Sequence, residues 1–434
     1  MPTKAMKLSE IRDLIVRNKT PAILILIALV VQLGFSILSP IIQYYIEALE
    51  KPLTPPPEYR EKVLFTADVI WYIAFNTAAF MFLRAPFSTF FGRLSDKIGR
   101  KRLIIAGLVI YVIIGLSLGL ATSAWQVVVI RGAQGICSAM VWPVAEALLM
   151  ENAPIEARTR MMTLYVMSLN IANLAGPGLG GWLYNIFFNI IGGEYAIDIL
   201  RPTVLSIVPL FIIAMVLGFF IREGERRIDE AQVGEDNFRE SDIRRSIYII
   251  YVTGLSNGFG VGLIASIVIV YVTEFIVKEP FIIGSIMMFA GITGLILAYP
   301  IANIADKKIG KKNIALLAML LRSIAFLYLP FVRDIGSLYM VMTLQNISFN
   351  TGLPSIRAIQ ADLTSSRIRG RVFGQQQTFF NTGMGIGAIF GALIYINCAH
   401  TQILNLPGVA VLFFTSAAIS LVNAFLIKKY IIIY

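Results

Sequence analysis

Arg84, Arg131, Glu146, Arg322 and Arg357 stand inside long apolar runs of this 434-residue chain, and Gln134 and Gln345 share those runs. An ionised side chain in hydrocarbon costs on the order of 3 kcal/mol or more unless it meets water or a partner. Such residues can bind a charged solute, pair with one another or pass a proton. Four arginines against one deep carboxylate set the sign. If two or more face a shared cavity, the field favours an anionic or acceptor-rich solute over a cation. The structural alternative is that Arg84 and Arg322 snorkel or brace neighbouring helices, and that Arg131 bonds exposed backbone carbonyls. Enzymatic chemistry lacks its parts. His400 is the lone histidine and falls in a loop, no Gly-rich run followed by Lys and Ser/Thr cradles a phosphate, and one deep glutamate makes no acid–base constellation. Cys137 and Cys398 offer neither a disulfide framework nor a metal site. The chain is expected to be no enzyme, with no catalytic residue, metal or cofactor.

A second group of residues sits where apolar runs end. The stretch Gly92-Arg93-Leu94-Ser95-Asp96-Lys97-Ile98-Gly99-Arg100-Lys101-Arg102 can form a charge relay between Asp96 and the cations after it. Gly92 would let a neighbouring helix approach, and Gly99 would turn the chain. A looser copy, with one extra residue, runs from Ala302 through Asp306 and Gly310 to Lys312. A merely basic loop explains the cations but not the glycines and the aspartate. Further along stand Arg131-Gly132-Ala133-Gln134-Gly135, then Asn170, Asn173 and the run Gly176-Pro177-Gly178-Leu179-Gly180-Gly181. Proline bends a helix by removing a donor, and the glycines are expected to allow close packing against the opposite half of the molecule.

The elements that carry these residues are long apolar helices. The chain is 57% hydrophobic and 15% charged, with mean hydropathy +0.75. Its apolar runs reach about 20 residues, the length that crosses roughly 30 Å of hydrocarbon. Twelve spans are expected near 21–48, 66–91, 103–121, 125–148, 161–189, 202–221, 247–275, 281–303, 313–331, 336–359, 372–397 and 408–427. The cations before the first run are not followed by a small-residue cleavage site, so that run reads as a retained helix. The net charge of +11 is spread over short loops and does not indicate nucleic acid. Of the 37 lysines and arginines, 27 fall on the side of both termini, 6 on the other and 4 inside spans. Both termini are therefore expected in the cytoplasm, with Lys51 to Lys62 outside.

The sequence also repeats. Gln134 and Gln345, Asn170 and Asn381, Pro143 and Pro354, Arg158 and Arg369, Gly176 and Gly387, Gly180 and Gly391, and Tyr184 and Tyr395 are each 211 residues apart. Tyr44–Glu47 matches Tyr271–Glu274 at 227, the difference falling in a longer first outer loop. Residues 1–221 and 246–434 thus read as two six-helix bundles joined by a cytoplasmic linker, 222–245. Parallel repeats of this kind mark secondary transporters. Glu146 maps onto Arg357, each five residues before an acid at a helix end, Glu151 and Asp362. The two could close the cytoplasmic side of a pathway; two separate pairs within each half are the alternative.

The loop from Gly92 to Arg102 and its copy resemble the G-x-L-x-D-x-x-G-R-K-x motif of the major facilitator superfamily. The resemblance implies an all-α integral membrane fold, with two pseudo-symmetric six-helix bundles around a midplane cavity that opens alternately to each side. Spans four and ten line that cavity in the family's architecture. Arg131 to Gly135 resembles the family's R-x-x-Q-G motif, which is associated with proton coupling. Gly176 to Gly181 resembles the G-P-x-x-G-G signature of proton-coupled antiporters, with Ala172 in place of a preceding glycine. Equally, that run reads as a helix-packing motif. The carboxylate that meets cationic drugs in many multidrug members has no counterpart here beyond Glu146. The expectation is a secondary active transporter in the cell membrane, a functional monomer in lipid that exports a small amphipathic or anionic solute against protons. Alternatives are an uptake symporter or uniporter for an organic anion or metabolite, and a non-transporting receptor on the same scaffold.

Overall fold

The computed structural model describes residues 19–153, 158–223, 240–308, 310–362, 366–399, 401–403 and 406–431. Its helices form twelve consecutive spans. Span one is Thr20–Ile37 continued by Ile42–Glu50, span two Ala67–Ile98, span three Arg100–Gly119, span four Ala124–Asn152 and span five Arg158–Ile191. Span six is Ala196–Leu205 with Val208–Phe219, and span seven Glu240–Ala265 with Val268–Phe275. Spans eight to twelve are Pro280–Lys308, Lys311–Tyr328, Ile335–Asp362, Ser366–Cys398 and Ala410–Tyr430. A short antiparallel ribbon, Gln402–Ile403 on Leu406–Pro407, precedes the last. Local chemistry accounts for two of the breaks. Pro40 interrupts span one, and Pro209 opens the second piece of span six, each lacking an amide donor.

Among the described residues, ten helical stretches are apolar and long enough to cross a membrane. Spans five and ten are long enough but less apolar, because they carry Asn170 and Asn173, and Gln345, Asn346 and Asn350. Asn170, Asn173, Asn346 and Asn350 fall on faces turned to a cavity. Packing repeats with the sequence: span one lies on five as seven lies on eleven, two on four as eight on ten, and three on six as nine on twelve. The halves meet where five lies on eight and two on eleven.

The glycines explain how these helices come so close. A Cβ at Gly176 or Gly180 would collide with Ser36 or the Ile37 carbonyl of span one, and one at Gly387 or Gly391 with the Phe259 or Leu263 carbonyl of span seven. These repeated glycines therefore join helices within each half, not across the halves as expected. The cross-half role falls to their neighbours. A Cβ at Gly181 would come within 2.9 Å of Phe281 Cα, and one at Gly178 would strike Met288, both on span eight.

Candidate solute pathway

Between the halves lies a cavity of about 170 Å³, walled by spans five, eight and ten. Asn170, Asn173, Leu174 and Pro177 follow one another at three- and four-residue steps and so share one face of span five. Met342, Asn346, Phe349 and Asn350 do the same on span ten, and Met287 of span eight completes the wall. Asn173 Oδ1 accepts hydrogen bonds from Gln32 Nε2 at 2.7 Å and Ser36 Oγ at 3.0 Å. Asn346 and Asn350 spend an amide hydrogen on the carbonyls of Met342 and Asn346, at 2.9 Å each, leaving their side-chain oxygens as acceptors. The lining combines asparagine amides with thioether, aromatic and aliphatic groups, and holds no charged group.

The span charges are arranged around this space in different ways. Arg131 donates to Gln134 Oε1 at 2.6 Å and lies 5.0 Å from the Phe80 ring centroid, so it ties spans two and four together. Arg322 donates to Asn257 Oδ1 of span seven at 2.5 Å, which is the bracing role. Arg84 lies 5.9 Å from the same Phe80 ring and within electrostatic reach of Glu146, Tyr111 and Tyr165. Both tyrosines are fully buried, and neither phenol oxygen has a hydrogen-bond partner among the described residues. Gln345 Nε2 is likewise buried without a partner. Arg357 is exposed, Glu146 half-buried, and the fields of Arg357 and Arg84 both reach Glu146. No direct ion pair joins Glu146 to Arg357 in this conformation.

Among described residues, the hydrogen bonds that cross between the halves gather at the end remote from the termini. Tyr44 Oη meets Thr273 Oγ1 at 2.8 Å and donates to the Lys278 carbonyl at 2.8 Å. The Phe65 amide donates to Glu274 Oε1 at 2.7 Å, and Ser266 Oγ donates to Thr77 Oγ1 at 3.0 Å. Lys278 Nζ donates to the Arg60 carbonyl in the loop before span two. That loop is itself pinned, because Arg60 pairs with buried Glu47 at 2.9 Å and Tyr184 donates to Glu58 Oε2 at 2.9 Å. Burial holds the Glu58 carboxyl above the usual carboxylate range, against the opposing backbone bond and the Tyr184 bond.

At the terminal end the charge relay is present. Gly99 turns the chain at φ +97°, Gly310 does so at φ +80° in the copy, and both angles are strained for any residue with a Cβ. Arg100 pairs with Glu151 of span four at 2.8 Å and reaches Asp96 at 3.6 Å. Its amide donates to Glu223 Oε1 at 2.5 Å. Gly92, expected to admit a neighbouring helix, has open space where a Cβ would stand. The side chains of Arg158, Asp306, Asp362 and Arg369, with His400 and linker residues 224–239, lie outside what is described.

Sequence reasoning passed over Glu58, Glu274 and Lys278, which carry the closure. The signal was present in the repeated Tyr44–Glu47 and Tyr271–Glu274 segments and in the Tyr184 and Tyr395 pair.

Two like bundles, a cavity between them and closure at one end define a polytopic membrane carrier. The chain belongs to the Major Facilitator Superfamily, whose sequence profile matches residues 24–307 and 250–432. It is 28% identical over 403 residues to the multidrug resistance protein MdtG of Dickeya zeae, covering 90% of this chain and 89% of that one. It is 26% identical over 333 residues to MdtG of Salmonella paratyphi C, covering 75% and 79%. The fold matches the nucleoside transporter NupG with a TM-score of 0.69 at 12% identity, covering 95% of this chain and 99% of that one. It matches a bacterial homologue of the human lysosomal transporter Spinster, inward-facing and unoccupied, at 0.66 and 12%, covering 94% of each. The protein is a secondary transporter.

Proposed function

We propose that this protein exports small amphipathic solutes from the cytoplasm, in exchange for protons, as a monomer in the cell membrane with both termini cytoplasmic. The observation that carries the reading is the amide- and thioether-lined cavity between the halves, with every cross-half hydrogen bond between described residues at the end remote from the termini. Such a wall favours a solute with an apolar body and a few polar acceptors or donors, because Met and Phe accept varied shapes while Asn sets orientation. The cation surplus on the terminal side supports the orientation, which makes this state inward-facing. Relatives named for multidrug resistance support export. In this reading residues 1–221 and 246–434 rock about the cavity, the motif loops with Asp96, Arg100 and Glu151 report the state, and Glu146 beside Arg84 carries the coupling proton.

Purified protein in liposomes with an imposed proton gradient tests the reading. Uptake of a fluorescent amphipathic dye into vesicles acidic inside should exceed that into vesicles without a gradient. Asn346→Leu should raise the half-saturating dye concentration about tenfold, the loss of one or two polar contacts. Gradient-independent uptake would remove proton coupling, and unchanged half-saturation would remove the cavity from the solute path.

A further inference from the structure

A second cavity, of about 550 Å³, opens at the remote end and is lined by residues of the first half. It is lined by Glu50, Asp68, Trp71, Tyr72, Phe75 and Trp125. Asp68, Trp71, Tyr72 and Phe75 step by three and four residues and therefore share one face of span two. Trp71 and Phe75 stack at 5.5 Å with 19° between their planes, making a continuous aromatic wall. Glu50 closes span one on one side, and Trp125, 57% exposed in the first turn of span four, stands on another.

A girdle of aromatic rings at a membrane interface needs no ligand. Two carboxylates beside those rings are another matter: Glu50 and Asp68 are both exposed at the opening, and their charge lies next to the negative ring faces. Glu50 accepts the Ala124 amide at 3.1 Å, at the positive end of span four. Asp68 lies in the first turn of span two and has no hydrogen-bond or ion-pair partner among the described residues. Lys51 and Lys62 lie close in sequence, yet neither pairs with either acid.

We propose that this cleft binds the ammonium group of an organic cation, with ring faces around the charge and Asp68 and Glu50 as its counter-ions. Aromatic faces attract quaternary and primary ammonium groups through the ring quadrupole, and the carboxylates add a directed Coulomb term. The ammonium can arrive on the ethanolamine headgroup of a lipid or on a free cation from the aqueous side. The inference is independent of the direction of transport.

Of the four tryptophans, Trp71 and Trp125 line the cleft, so a background of Trp142→Phe and Trp182→Phe leaves emission that reports on it. Tetramethylammonium chloride, titrated against sodium chloride at equal ionic strength, should change that emission saturably. Asp68→Asn with Glu50→Gln should raise half-saturation at least tenfold at an unchanged unfolding temperature; Asp68→Asn alone serves if the pair unfolds. Nanodiscs of phosphatidylglycerol with and without phosphatidylethanolamine separate the sources. A threefold or greater rise in half-saturation with phosphatidylethanolamine identifies the headgroup as occupant, and no change identifies the free cation. A response that never saturates, or one the carboxylate variants leave unchanged, overturns the proposal.

Discussion

Tyr395 donates a 2.6 Å hydrogen bond to Glu274 Oε2, while Oε1 of the same carboxylate accepts the Phe65 amide from the other half at 2.7 Å. One side chain thus ties span eleven, span seven and the loop entering span two. Hydrogen bonds to a charged group contribute about 1.5–3 kcal/mol each. Removing the acceptor strands a buried phenol and frees the amide. Glu274→Ala should therefore shift the balance towards the state open at the remote end by about tenfold or more. Distances between spin labels across the remote end would read the shift; an unchanged distribution would show that Glu274 does not hold the closure.

The closure should also respond to pH through Glu58. Burial raises its carboxyl above the exposed value of 4.5, so the closed state holds this proton more tightly than a state in which Glu58 meets water. Linkage then fixes the sign. The contribution to closure is fully present below about pH 4.5 and is lost as pH rises through the higher closed-state value. The same spin-label distances, recorded from pH 4 to 8, should show closure weakening with rising pH, and Glu58→Gln should flatten that part of the profile. A wild-type profile with the opposite slope would refute the assignment.

Two glycines of the same sequence type should behave oppositely. At Gly180 a methyl group would press on the Ile37 carbonyl, a backbone atom that cannot turn aside, whereas at Gly92 it would meet open space. Overpacking of this kind costs about 1–3 kcal/mol. Gly180→Ala should lower the unfolding temperature and reduce transport, and Gly92→Ala should leave the unfolding temperature unchanged. Transport by Gly92→Ala is a separate readout, since a close approach at Gly92 in the opposite state would slow it.

Much of this architecture is legible in the sequence, because hydrocarbon imposes one element type, one length and one charge rule on every span. The repeat supplies the bundles, since Gly176 and Gly387 perform one packing task twice. What such a pattern lacks is direction within a helix. Gly178 and Gly181 differ from Gly176 and Gly180 only by rotation about span five, yet the former face the other half and the latter their own. Arg322 illustrates the same limit at the site. Arg131 meets Gln134 three residues further along its own helix, a spacing the sequence displays, whereas the partner of Arg322 is Asn257 of span seven, which depends on tertiary packing. The closure was harder still, because Phe65 contributes only a backbone amide, which no residue type announces.

The 211-residue repeat places Glu146 and Arg357 at equivalent positions of spans four and ten, and the field of Arg357 reaches Glu146 although the two make no ion pair here. In an inward-facing state that separation is expected, since water from the terminal side reaches both. When the remote end opens, the terminal ends of the bundles must converge, and each charge would lose that water unless it met the other. Arg357→Glu should bring two carboxylates together in that state, penalise it and reduce transport by tenfold or more. Adding Glu146→Arg restores opposite charges in exchanged places, and should recover part of the rate if the pair closes the pathway. If Glu146 instead serves only Arg84 within its own half, the double variant should transport no faster than Arg357→Glu. Initial rates of dye transport in liposomes at matched protein incorporation distinguish the two outcomes.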